Sequence, residues 1–178
     1  EIRLSLVGSE MCIRDRLKVE DIIKFDGVYC FYFTDEGDGQ SLKNESSKRI
    51  VPIHSELIKL GFLDFVDDVK KKKKDRVFYT LNRTEHSNYG DTISKWFGVY
   101  RRKVGIVSKN KTLHSMRHNV ETKLVNNNIS ETIQNSICGW SDKGVGQRVY
   151  AKKEIKTLQS AIETIKYEFW DDVVDNLK

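Results

Sequence analysis

The chain has 178 residues, of which 38% are hydrophobic, 10% aromatic and 32% charged, with a formal net charge of +5. That length supports one domain with a real core and is short for two. No apolar run approaches the ~18 residues of a membrane span. Three scattered cysteines, Cys12, Cys30 and Cys138, form no Cys-x-x-Cys pair, which argues against a disulfide framework or zinc cluster and suits a reducing compartment. The first residues do not read as a secretory leader, so a cytoplasmic chain with no membrane attachment is expected. The basic balance is compatible with a nucleic-acid partner without requiring one.

In chain order, residues 1–16 have neither a helical nor a strand period. Their stretch Leu4 to Arg16 resembles translated sequencing-adapter read-through. They are expected to be foreign, with the native domain occupying residues 17–178. From Lys18 the pattern is coherent. Asp26-Gly27 is a hairpin signal, Val28 to Phe33 is a β-rich run, and Arg49 to Ile53 is a short strand that Pro52 assigns to an edge or an end. Residues 21–53 therefore predict a small antiparallel sheet of two or three strands.

Helices follow. Ser55 is the expected N-cap of a helix that ends at Gly61, with another short helical stretch over residues 64–70. Lys70 to Lys74 are five consecutive lysines, read as a solvated loop or a nucleic-acid backbone contact. Residues 92–103 predict an amphipathic helix, with Ile93, Trp96, Phe97 and Tyr100 expected in the core. A helix over residues 113–127 is broken by Asn126-Asn-Asn128, and Ser130 caps the next, Glu131 to Ile137. Glu154 to Leu177 predicts a final helix, with Leu158, Ile162 and Ile165 on one face.

The chemistry concentrates late in the chain, in His114-Ser-Met-Arg117-His118, then Gly139-Trp140, then Tyr150. Histidine and arginine three residues apart lie on one side of a helix, pairing an imidazole with a guanidinium fork suited to phosphate. An indole N–H and a phenol follow, and the phenol is a potential nucleophile. Singly these residues have duller readings as surface groups, helix caps or core anchors. His114 and His118 could imitate a metal pair, but no third ligand stands at a sensible spacing, and no metal site is expected.

The ordered set His-x-x-Arg, Gly-Trp, Tyr resembles the catalytic domain of the tyrosine recombinases, the integrases of phages and mobile elements. The resemblance extends from about Leu17 to Tyr167 and includes Ser94-Lys-Trp-Phe97 and Ser141-Asp-Lys-Gly144. It implies an α+β fold, mainly α-helical with a small antiparallel sheet near the N-terminus. It also implies cutting and rejoining of DNA through a 3′-phosphotyrosyl link on Tyr150. Arg117, His114 and Trp140 would hold the phosphate; the family more often has histidine at the Trp140 position, and both side chains supply one N–H. Ser41 to Pro52 resembles the family's β-hairpin, which makes Lys43, nine residues before Pro52, the acid for the leaving oxygen. Lys48, Arg49, His118, Lys143 and Arg148 are the implied DNA contacts, with Lys48 and Arg49 as backbone-contacting or solvated neighbours. No cofactor is implied. The implied partners are double-stranded DNA attachment sites, a homotetramer docked through the C-terminal helix, and excisionase-type accessory proteins.

Two departures qualify the expected activity. Counting back from Asp21-Ile22, the slot that the family fills with its first catalytic arginine falls on Glu10, while Arg14 and Arg16 are out of register. The upstream core-binding domain usual in the family does not precede the resemblance, as in the catalytic half of a longer protein. A catalytically impaired DNA-binding remnant is the alternative to a working recombinase. A type IB topoisomerase-like enzyme is a weaker third reading, disfavoured by the Ser94-to-Phe97 and Gly139-to-Tyr150 context.

Overall fold

The computed structural model describes residues 17–37, 48–81, 89–140 and 152–167. These form a mixed α+β fold with a three-stranded antiparallel sheet: β1 (Ile22–Phe25), β2 (Val28–Phe33) and β3 (Arg49–Pro52), in spatial order β1-β2-β3. Six α-helices and a short 3-10 helix (Val19–Asp21) accompany it among the described residues: α1 (Ser55–Lys59), α2 (Phe62–Lys71), α3 (Tyr89–Lys103), α4 (Leu113–Asn126), α5 (Glu131–Cys138) and α6 (Lys152–Glu163). Residues 1–16 lie outside the described residues.

The β1–β2 hairpin closes where the sequence predicts. Phe25 pairs with Val28, leaving Asp26 (φ +47°) and Gly27 (φ +82°) as the two-residue loop. Positive φ at both loop positions is the backbone of a type I′ turn, whose twist matches that of the strands. β3 is an edge strand ending at Pro52, opposite Cys30, so a missing N–H there costs no central ladder bond.

β2, the central strand, buries both of its faces: Val28, Cys30, Phe31 and Phe33 are all inside. Phe31 meets Phe33 and Phe62 of α2, with ring centroids 5.9 and 5.6 Å apart. α6 lies along β3 and β2 and adds Ile155, Leu158, Ala161 and Ile162 to the same core, with Ile165 following just after the helix. At about 1.5–3 kcal/mol per large aliphatic side chain buried, this face holds α6 on its own sheet. The helix ends at Glu163, short of the expected Leu177, and residues 168–178 lie outside the described residues.

Two expectations about helix ends and faces are corrected. His54, not Ser55, caps α1: its Nδ1 accepts from the Glu56 N–H at 3.1 Å. Since Nδ1 accepts, Nε2 carries the proton and donates to the Ile165 carbonyl at 3.0 Å. Ser55 is claimed by Glu163, which accepts from its backbone N–H at 2.8 Å and its Oγ at 2.6 Å. These bonds pin the start of α1 to the end of α6, a tertiary partner that local capping rules cannot foresee. On α3, Ile93 is buried, but Trp96 and Tyr100 are exposed and stack on each other 5.2 Å apart. No other described element packs broadly on that face, so these aromatics are surface groups and not core.

Candidate active site at the end of helix α5

α4 carries the His-x-x-Arg motif. At its start, the Ser115 hydroxyl accepts from the Thr112 N–H at 3.1 Å and donates to the Asn110 carbonyl at 3.0 Å. The preceding loop is tied to α3, where Arg101 donates to the Ile106 carbonyl at 3.1 Å and to that of Ser108. The buried stripe of α4 is Leu113, Arg117, Val120 and Leu124, the i, i+4, i+7, i+11 spacing of one helix face. Arg117 thus occupies a core position, while His114 and His118, one residue further round, are exposed. The two imidazoles meet edge to face at 4.8 Å, and His118 Nδ1 lies 3.3 Å from Glu121 Oε2.

Arg117 reaches the last turn of α5. Its Nη2 donates to the Cys138 carbonyl at 2.6 Å, and its guanidinium lies 5.5 Å from the centre of the Trp140 ring. Arg49 arrives at the same end from β3: its Nε donates to the Ile137 carbonyl at 3.2 Å. Its register partner is Phe33, and directly paired strand residues project on one face, which sets the guanidinium over the Phe33 ring at 4.6 Å. Consecutive carbonyls at a helix C-terminus lack intrahelical donors and carry the negative end of the helix dipole. Two guanidinium groups held there satisfy those carbonyls and gather positive charge in one place.

Gly139 makes this convergence sterically feasible. It caps α5 with φ +74°, and its N–H donates to the Asn135 carbonyl at 2.7 Å. A Cβ built there would stand 2.6 Å from Arg49 Cζ and closer still to Nη1. The left-handed backbone and the overlying guanidinium therefore both select glycine. The chain then turns to deliver Trp140, still 36% exposed, against Arg117.

The two described cysteines, Cys30 and Cys138, are buried free thiols. Burial pushes the Cys30 thiol up to about 12. Burial also raises that of Cys138, opposed by the positive charges of Arg117 and then Arg49. Thiols so shifted are poor nucleophiles at neutral pH.

Of the sequence-derived site residues, the structure brings Arg117 and Trp140 together, while His114 is exposed on α4 with its ring against His118. Arg49 differs from expectation: it is 3% exposed, a buried positioning group and not a solvated neighbour. Lys48 is ion-paired with Glu36; the pairing raises the lysine pKa and lowers that of the carboxylate. Tyr150, Lys43, Lys143 and Arg148 lie outside the described residues. The inward pointing of Arg49 was missed because strand alternation gives two faces without saying which holds the helix end. The one available signal was Gly139, a residue suited to close backbone approach. Among the described residues, no cluster of three or more histidine, cysteine, aspartate or glutamate side chains is placed to hold a metal ion, and no helix is long and apolar enough to cross a membrane.

No protein-family model, curated protein or solved structure matches the chain.

Proposed function

We propose that this chain is the catalytic domain of a tyrosine-type site-specific DNA recombinase. The supporting observation is the meeting of Arg117 and Trp140 at the end of α5, with His114 exposed one turn earlier than Arg117 on α4. The Arg117 guanidinium, the Trp140 indole N–H and the His114 imidazole would hold the non-bridging oxygens of a phosphodiester as negative charge builds on them. Tyr150 would attack phosphorus, forming the 3′-phosphotyrosyl ester and breaking the bond to the 5′-oxygen. Lys43 would give that oxygen its proton. The reverse reaction rejoins the strand with no external energy source, because the ester retains the bond energy.

The test is covalent capture of DNA. A pool of random-sequence duplexes carrying 5′-bridging sulfur linkages is incubated with the protein, and adducts that survive denaturation are isolated. The proposal predicts an adduct that disappears in Tyr150→Phe. Salt-sensitive DNA binding with no adduct favours the second reading, a catalytically impaired remnant, which the glutamate at position 10 in the arginine slot supports.

The acid role has its own signature. A sulfur leaving group needs no proton, so Lys43→Ala should slow cleavage of ordinary DNA and spare the bridging-sulfur substrate. Equal loss on both substrates would remove Lys43 from that role.

A further inference from the structure

We infer that the lysine cluster at the C-terminal end of α2 is a second, sequence-independent contact for the phosphate backbone of duplex DNA, separate from the site at α5. Lys70 and Lys71 are the last residues of α2, Lys72 caps it, and Lys73 and Lys74 follow, all five exposed. Only Lys71 has an acidic partner among the described residues, Asp68 at 3.1 Å. Lys74 lies over the Tyr79 ring at 5.6 Å. Asp75, the nearest following acid, is turned to Lys18 at 3.8 Å. Among the described residues no carboxylate is within ion-pair distance of Lys70, Lys72 or Lys73, and the cluster is flanked by the buried Val69 and Val77.

Helix capping does not explain these lysines. The final carbonyls of α2 are already served by backbone N–H groups: Lys72 donates to Asp68 at 3.1 Å, Lys73 to Lys70 at 2.9 Å and Lys74 to Val69 at 3.2 Å. The last of these is the long bond of a Schellman ending, whose left-handed residue is usually glycine. Here that residue is Lys73, with φ +54°. A charged L-residue held in this conformation costs stability that glycine would not, and retained local strain points to a role for the side chain. Lysine ammonium groups act on phosphate as point charges without a geometric demand, which fits a backbone contact that reads no sequence.

This inference rests on the recombinase reading for its choice of duplex DNA, and its test is separate. Binding of the full chain to a linear random-sequence duplex is followed by fluorescence anisotropy across a salt series. The Lys72→Gln/Lys73→Gly double variant is compared with Lys59→Gln/Lys156→Gln, which removes the same charge from lysines already paired with Glu56 and Asp26. Each lost phosphate contact lowers the slope of log K against log salt by ~0.9, so the cluster variant should lose ~1.8 and the control nearly nothing. Glycine relieves the strain at position 73, so Lys73→Gly alone should melt about 2–4 °C higher while binding more weakly. Equal slopes for both double variants, or no duplex binding by the unaltered protein, would overturn the inference. Because adduct formation is scored on Tyr150, slope changes and adduct loss report failure of the two readings independently.

Discussion

Gly139→Ala should lower the unfolding free energy by about 2–5 kcal/mol, a large share of the stability of a domain this size. Two costs combine. An alanine at φ +74° sits in the left-handed region, at about 1–2 kcal/mol. Its Cβ also displaces the Arg49 guanidinium, which leaves the buried Ile137 carbonyl without its donor at about 1–3 kcal/mol. The two costs can be separated. Asparagine tolerates the left-handed backbone but brings the same Cβ, so Gly139→Asn should recover only the conformational part. In an Arg49→Ala background the clash is gone, and the additional effect of Gly139→Ala should shrink to the conformational cost alone. Chemical denaturation of the four proteins of that cycle measures the coupling directly. Strict additivity would mean that Arg49 does not lie over Gly139 in solution.

If residues 1–16 are the native lead-in to the domain and not foreign sequence, Glu10→Arg should accelerate DNA cleavage by roughly 10²–10³-fold, and no effect marks the segment as foreign. The expectation comes from the chemistry of a phosphoryl transition state, whose growing negative charge would need more preorganised donors than the proposed Arg117, Trp140 and His114. By the tyrosine recombinase resemblance, position 10 is where the missing guanidinium belongs, and the chain has a carboxylate there. Removing one oriented donor costs about 2.7–4 kcal/mol of transition-state stabilisation, and a carboxylate adds repulsion. The unmodified chain should therefore cleave poorly. Single-turnover rates on bridging-sulfur DNA, measured for the unmodified chain, Glu10→Gln and Glu10→Arg, should rise in that order. Robust cleavage by the unmodified chain, matched by Glu10→Arg, would show that position 10 is not the slot.

The sequence made the local parts of the fold legible and left the tertiary ones hidden. Asp26-Gly27 announces its hairpin because few residue pairs tolerate two positive φ values. The cores of α4 and α5 follow from apolar spacing and from the asparagine run that ends α4. Ser55 looked like a cap because the competing claim of Glu163 comes from 108 residues away. Trp96 and Tyr100 looked like core because an amphipathic pattern names a face without naming what covers it. Motif spacing singled out Arg117 and Trp140, which the structure brings together, and His114, which it leaves exposed on α4. That spacing did not find that Arg117 and Arg49 share the end of α5, since that depends on strand register and on a glycine 90 residues after Arg49. The two guanidinium groups that cap α5 also concentrate positive charge beside the Trp140 indole.

The most direct measurement is the identity of the residue that becomes attached to DNA. The unmodified chain is incubated for an extended period with the pooled bridging-sulfur duplexes, from which a cut strand cannot readily be resealed, and the adduct is digested and mapped by mass spectrometry. The account predicts slow accumulation of a nucleotide-bearing peptide modified at Tyr150 and absent in Tyr150→Phe. Attachment at any other residue, or DNA binding with no attachment at all, would contradict it.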